Sequence, residues 1–309
     1  MPEYCHNPVL VAEVLSALDP RPGGRYADGT VGGGGHAAAI LRASAPTGWV
    51  FGCDHDGAAL EAAARRLAEF AGRFELRQGN FANLADWIPA GSCDGVLLDL
   101  GVSSPQLDWA ERGFSFQQDG PLDMRMDRGQ AITAADLVNG AAREELTRIF
   151  RDLGEEPEAR RLARVIEDER RFRRFETTRQ LAELAERVSP RRGRRIHPAT
   201  RMFQALRMAV NDEIGSLRRG LGAALQVLRP GGRLAVITFH SIEDRVVKEF
   251  GRERSRDYVI SGDVDVPELR RPTAPQLKWV RRKAFVPGPA EVEANPRARS
   301  ARLRVMEKL

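Results

Sequence analysis

Between residues 24 and 100 short apolar runs alternate with helical patterns, and no other feature of the chain restricts its fold as tightly. Strands are expected over 25–28, 49–54, 74–78 and 95–99, with helices over 37–43 and 58–71. In the second helix Leu60, Ala64, Leu67 and Ala71 recur at helical spacing. Strands and helices in this rhythm imply right-handed crossovers and a parallel sheet covered on both faces. Ligands of such a sheet bind beyond the carboxyl ends of its strands.

After Gly101 the rhythm stops. Residues 102–128 show no sustained period, and Pro105, Gly113, Gly120 and Pro121 mark turns. A loop of that length is usually functional. Helices are then expected over 134–140, 143–153, 157–172 and 178–188, followed by an Arg- and Gly-rich loop over 189–196. Another helix begins at His197-Pro198, with proline where its missing N–H costs nothing. The alternation resumes with a helix over 215–228, a strand over 233–239, a helix over 241–252 and strands over 277–284 and 301–306. The helical stretch therefore reads as an all-helical domain inserted into a Rossmann-type α/β sheet. A chain of 309 residues has room for both. The expected divisions are 1–112 and 206–309 for the two parts of the sheet domain and 113–205 for the insertion.

Charge is placed unevenly. From Arg160 to Arg201 there are fourteen Arg and no Lys against six Asp or Glu, a surplus of eight in a chain whose net charge is +5. The remainder is net acidic, so the basic surplus sits in one segment. Such a segment suits a polyanion, because neutralised phosphates release counterions. It is equally the solvated face of helices carrying ion pairs such as Glu183 with Arg187. Cys5, Cys53 and Cys93 lack C-x-x-C spacing, so no disulfide framework or zinc knuckle is indicated, and no metal is expected. No apolar run reaches the roughly 20 residues a membrane-spanning helix needs. The first 18 residues carry Glu3 and Glu13 and no basic leader. A cytoplasmic protein with no membrane partner is expected.

The sharpest local signal is Asp28-Gly29-Thr30-Val31-Gly32-Gly33-Gly34-Gly35-His36, between the first strand and the first helix. Glycines there let backbone approach a ligand, with Gly32, Gly34 and Gly35 turning their N–H groups toward it. Asp54 closes the next strand near the offset at which a carboxylate grips ribose hydroxyls. A glycine run alone is a flexible loop and a strand-end Asp is a cap; together they point to a nucleoside. Asp28 at the loop entrance would repel a pyrophosphate and would welcome an ammonium, which favours S-adenosylmethionine over a nicotinamide dinucleotide. Asn80 and Phe81 follow the third strand, where amide and ring face the adenine or fill the core. The fourth strand runs into Asp99 and then Ser103, Ser104, Pro105 and Gln106, a set of acceptors able to hold an exocyclic amine in line with a sulfonium methyl.

At these residues the chain resembles the bacterial RsmH (MraW) family, the 16S ribosomal RNA cytosine-N4 methyltransferases. The matching stretches are HNPVL at 6–10, DGTVGGGGH at 28–36, LLDLGVSSPQL at 97–107 and ERGFSF at 111–116. They continue with DGPLDMRMD at 119–127, HPATR at 197–201, FHS at 239–241 and NPRARS at 295–300. The resemblance implies a Rossmann-type S-adenosylmethionine-dependent methyltransferase with an inserted helical domain for RNA. It implies cofactor contacts at Gly34, Gly35, His36, Asp54, Phe81, Asp99 and Gln106. It implies as substrate a cytidine in the decoding region near the P site, within the small ribosomal subunit or a late assembly intermediate. Gly33 departs from the larger residue frequent there. Ser104-Pro105-Gln106 only partly matches the signature of DNA amino methyltransferases, which leaves Trp109, Phe114 and Phe116 open as the ring that stacks on the base.

Asp99, Ser104 and His240 are the candidate catalytic residues. His240, at a strand's end, touches RNA or relays a proton, while Ser241 with Asp244 fits a capping box. Asp123, Arg125, Arg194, Arg195, Arg201, Arg297 and Arg299 are candidates for the RNA; Asp123, Arg125 and Asp127 fit a loop-locking role equally well. Two rival readings remain: a non-catalytic ribosome-assembly factor keeping the RNA surface, and a nicotinamide-dependent oxidoreductase, which Asp28 disfavours.

Overall fold

The computed structural model describes residues 8–190, 197–262 and 264–309, and within them the chain divides into two compact units. Arg194 and Arg195 lie outside the described residues. One unit comprises residues 1–101 and 214–309; the other is 102–213. The junctions thus fall at 101/102 and 213/214, outside the bounds read from the sequence.

The first unit is built on a seven-stranded sheet of β1 (Arg25–Asp28), β2 (Trp49–Asp54), β3 (Phe74–Gln78), β4 (Cys93–Asp99), β5 (Leu228–Thr238), β8 (Leu277–Trp279) and β9 (Arg302–Lys308). A separate two-stranded ribbon pairs β6 (Tyr258–Ile260) with β7 (Arg270–Pro272). The sheet order is β3-β2-β1-β4-β5-β9-β8, with β1 to β5 parallel and β9 antiparallel to both β5 and β8. This is a doubly wound sheet whose order reverses between β1 and β4, where ligands of such sheets sit. Alternate residues of the central strands feed opposite faces. Leu97, Ala235 and Ile237 pack with Val14 and Leu18 of α1 (Val11–Leu18) and with Ile40 and Leu41 of α2 (Gly35–Ala43). Val96, Leu98, Leu234 and Val236 pack with Leu217, Leu221 and Ala224 of α10 (Glu213–Val227). Burial on both faces explains why these strands read as apolar runs without a polar side. The helix α3 (Gly57–Leu67) starts from Asp56, whose side chain accepts from the Ala58 N–H.

The second unit contains α4 (Ser104–Asp108), α5 (Ala134–Gly140), α6 (Arg143–Asp152), α7 (Ala159–Glu169), α8 (Thr178–Val188) and α9 (Ala199–Val210). Their apolar stripes meet in one core that includes Val138, Leu146, Phe150, Leu162, Ile166, Leu181, Leu184 and Leu206. Capping boxes at Thr133 with Asp136 and at Thr177 with Gln180 fix two helix starts. The aperiodic stretch after Gly101 is ordered by other means. Leu122 and Met124 are fully buried in this core, and the Arg112 guanidinium donates to the carbonyls of Arg125 and Met126. Asn211 accepts from the Met126 N–H and donates to the Met124 carbonyl. Gly113, at φ 71°, permits a crossing that a Cβ would block, since it would meet the Pro121 carbonyl oxygen at 2.2 Å.

The capping box expected at Ser241 is displaced by one residue. His240 caps α11 (Ser241–Arg254): its Nδ1 accepts from the Glu243 N–H at 3.4 Å, and Glu243 accepts from the Phe239 N–H at 2.8 Å. Asp244 is instead an anchor for β9. Its side chain, 3% exposed, takes Arg304 Nη2 at 3.2 Å and Lys248 Nζ at 3.2 Å. Burial pushes the Asp244 carboxyl up, but Arg304 and then Lys248 hold it below the usual range. Removing one partner of a buried pair leaves the other charge uncompensated. Asp244→Ala should therefore cost about 3–5 kcal/mol in denaturant unfolding. A loss below about 1 kcal/mol would place this contact among ordinary surface pairs.

Candidate active site

At the carboxyl end of β1 the Asp28 side chain is 1% exposed. Its Oδ1 accepts from the Thr30 N–H at 3.2 Å, while Oδ2 has no hydrogen-bond partner among the described residues. At the end of β4, Asp99 Oδ1 is likewise buried without a partner. The Asp99 backbone N–H donates to Thr30 Oγ1 at 2.6 Å, which ties the glycine loop to the neighbouring strand. His36, in the first turn of α2, stands beside Asp99: its Nε2 donates to the Val9 carbonyl at 2.8 Å, and its Nδ1 stands 3.6 Å from Asp99 Oδ2. Burial first, and then the charge of Asp54, pushes the Asp28 carboxyl up to about 7. Burial, followed by Asp28 and Glu243, pushes Asp99 well above the usual carboxylate range. Two buried oxygen atoms without hydrogen-bond partners and two carboxyls resisting ionisation mark a place that a cation would stabilise.

The glycine loop differs from the expectation that its amides face a ligand. The N–H groups of Gly29, Val31 and Gly34 donate to the carbonyls of Leu97, Cys53 and Val31, and the Gly32 N–H donates to Asp54 Oδ2 at 2.8 Å. These four amides are therefore committed within the fold, while α2 starts from Gly34 without a side-chain cap. Gly34, at φ 79°, closes the turn against α3, where a Cβ would meet Ala63 Cα at 3.2 Å. Gly35 opens α2.

Asp54 ends β2 with each oxygen accepting one amide, Oδ2 from Gly32 and Oδ1 from Asp56 at 2.9 Å. Burial raises its carboxyl. Asn80 is committed to structure: Oδ1 caps Ala82 at 2.8 Å and Nδ2 donates to Ser216 Oγ at 2.7 Å. Phe81 is 8% exposed and lies over Gly220 of α10, where a Cβ would meet its ring at 2.2 Å. Its ring is thus part of the core behind the loop. His240 Nε2 is buried and stands 3.0 Å from Glu243 Oε1, but without hydrogen-bond direction. With Nδ1 occupied as a cap, this ring is a poor general base.

In the helical unit, Gln106 is buried and its Oε1 accepts from the Ser103 N–H at 3.0 Å, so it caps α4. Ser104 is the first residue of that helix. Arg125 is spent on its own loop: Nε and Nη2 meet the two Asp123 oxygens at 2.7 and 2.9 Å, and Nη1 donates to the carbonyls of Arg128 and Gln130. Two of the three aromatic candidates are packed, and Trp109 is half-buried. Phe116 stacks on His197 at 4.5 Å and meets Phe203 edge-on at 5.0 Å, while Phe114 lies beneath the Arg112 guanidinium. Arg201 is exposed and donates to the Glu155 carbonyl at 3.1 Å. Arg297 and Arg299 are exposed on the turn before β9. Sequence reasoning missed Thr30 and Glu243 as site residues. Only their places, two residues after Asp28 and three after His240, hinted at them.

Strand order, the antiparallel β9 and a carboxyl edge that is acidic and averse to phosphate define a Rossmann-type methyltransferase, a class that takes S-adenosylmethionine as methyl donor. The chain belongs to the MraW methylase family, whose profile matches residues 3–309. It is 52% identical over 312 residues to the ribosomal RNA small subunit methyltransferase H of Syntrophotalea carbinolica, covering 99% of this chain and 98% of that one. The proteins of the same name from Symbiobacterium thermophilum and Geobacter sulfurreducens are 52% and 51% identical, covering 99% of this chain and 97% and 99% of theirs.

A carboxyl raised by burial stays protonated in the folded chain after it has ionised in the unfolded one. Its contribution to stability is complete below the usual carboxylate range and is lost as pH rises toward about 7 for Asp28. The ligand-free protein should therefore lose stability between about pH 5 and 7, by up to about 1.4 kcal/mol per pH unit for one such group. Asp28→Asn should gain on the wild type steadily across that window in denaturant titrations. Parallel profiles for the two proteins would contradict the raised carboxyl.

Proposed function

We propose that this protein transfers a methyl group from S-adenosylmethionine to the N4 amine of a cytidine in the decoding region of 16S ribosomal RNA, near the P site. The substrate is that RNA within the small ribosomal subunit or a late assembly intermediate. The observation that carries the donor is the buried, partnerless Oδ2 of Asp28 at the entrance of the glycine loop, which suits the ammonium of S-adenosylmethionine. Kinship with proteins named for small-subunit ribosomal RNA carries the acceptor class.

The donor, when bound, supplies a methyl group on a sulfur that departs without an acid. What remains for the protein is binding, charge and orientation. Asp28 supplies the anion for the ammonium. Each Asp54 oxygen already holds one amide and keeps a second lone pair for a ribose hydroxyl. Gly32, Gly34 and Gly35 shape the turn along which the donor lies, and Phe81 supports it from the core side. His36 fixes Asp99 from one side, leaving Oδ1 to accept an N–H of the cytosine amine. Accepting that N–H favours a lone pair localised on nitrogen over one delocalised into the ring, which lets the nitrogen pyramidalise for attack. His240 holds the start of α11 and Glu243, and acts on the reaction through them. Asp123 and Arg125 hold their loop in shape, and Arg201, Arg297 and Arg299 remain assigned to phosphate.

Mass mapping of small-subunit RNA from cells with and without this protein should show one cytidine lighter by a methyl group in its absence. Unchanged cytidine masses throughout would end the assignment. Titration calorimetry in buffers of different ionisation enthalpy should show protons released as S-adenosylmethionine binds near pH 6.5, because a cationic ligand draws Asp28 into its ionised form. Affinity should rise from pH 6 to 8 in the wild type and be nearly flat in Asp28→Asn. Equal pH dependence in both would remove Asp28 from the donor site.

A further inference from the structure

The turn between α7 and α8 carries four consecutive side chains, Arg171, Phe172, Arg173 and Arg174, all exposed. Phe172 is 92% exposed, more than any other large apolar side chain among the described residues. A single exposed phenylalanine is ordinary on a protein surface. Its setting here is not. The side chains of Arg171 and Arg173 on either side make no ion pair or hydrogen bond among the described residues, although exposed arginines such as Arg151 and Arg187 have carboxylate partners. In particular Arg187 takes both oxygens of Glu169 at 2.7 Å, not Glu183 as the helical spacing suggested. Glu169, which lines the same groove as Arg173, is thus paired with Arg187.

The turn is also held rigidly from beneath. Arg170 donates to the carbonyls of Val138 and Ala141 at 2.9 and 2.8 Å. Phe175, 5% exposed, is clamped by Asn139, which accepts from its N–H at 2.9 Å and donates to its carbonyl at 2.8 Å. Fixed at Arg170 and Phe175, the four residues between are presented outward at little further entropic cost. Beside them runs a groove of about 250 Å³ lined by Phe172, Arg173, Arg174, Phe175, Gln180 and Glu183 among others.

We propose that this turn is an anchor for single-stranded RNA, with one unpaired base stacked on Phe172 and the phosphates on its two sides held by Arg171 and Arg173. An aromatic face flanked by cations is the combination that unpaired nucleotides require. Duplex RNA hides its base faces and offers only phosphates and sugar hydroxyls. The proposal rests on the reading of ribosomal RNA as substrate and adds a second point of attachment on the helical unit.

The test uses the full-length protein and two fluorescently labelled RNAs of equal length, one unstructured and one a blunt duplex, in anisotropy titrations at several salt concentrations. Phe172→Ala should weaken the unstructured RNA roughly tenfold with its salt slope unchanged, and should leave the duplex within about twofold. The double variant Arg171→Ala/Arg173→Ala should lower the salt slope by about 1.4, from two phosphates at about 0.7 each. Phe172→Trp should restore affinity, and its added fluorescence should be quenched by the unstructured RNA. Wild-type affinity in Phe172→Ala, or equal losses on both RNAs, would overturn the anchor. So would an effect of Phe172→Ala confined to self-association in sedimentation. Failure of the wider reading looks different: RNA binding would keep these dependences while mass mapping shows no methylated cytidine.

Discussion

Two buried carboxyl groups, Asp28 and Asp99, govern the working end of this protein. They come from the ends of β1 and β4, and Glu243, at the start of α11, adds its charge to Asp99. Burial favours the neutral forms of both, and a neighbouring carboxylate adds to it, Asp54 for Asp28 and Asp28 for Asp99. The parallel sheet forces the closeness, because adjacent strands that end together bring their last side chains together. The surrounding structure holds what would otherwise spread apart: Thr30 bonds across from the loop to the Asp99 backbone, and His36 is pinned to the Val9 carbonyl. A site prepared this way gains most from a positively charged occupant, and such an occupant is what a sulfonium chemistry brings.

The glycine loop shows how similar sequences serve opposite ligands. In dinucleotide sites the glycines free their amides for a pyrophosphate. Here the amides of Gly29, Gly32 and Gly34 are taken by Leu97, Asp54 and Val31, so these glycines make a compact turn. The distinction lies in Asp28 and Asp54 more than in the glycines.

The parallel sheet was legible because both of its faces are buried. Strands 25–28, 49–54 and 74–78 coincide with β1, β2 and β3, and Asp54 and Asp99 were placed at strand ends where they are found. The helices of the second unit were legible from their apolar stripes and caps. What the sequence hid were segments whose order comes from distant partners. The stretch after Gly101 has no period, since Arg112, Gly113 and Asn211 shape it through carbonyls far along the chain. The helix α1 was missed between two left-handed residues, Leu10 and Asp19. The cap at His240 was misread because a histidine nitrogen replaced the usual hydroxyl, and Asp244 was explained locally when its partner Arg304 is sixty residues away. Spacing reports neighbours along one element; it is silent about partners that only the fold supplies.

The order of strands in the sheet has a bearing on how the chain emerges from the ribosome. β4 is central, yet its outer neighbour β5 is separated from it in sequence by the whole helical unit. Through that interval of synthesis one edge of β4 has no strand to pair with, while the segment being made has a core of its own and lacks nothing for folding. The inserted helices are thus finished first, and the sheet that they interrupt closes only when β5 and finally β9 arrive.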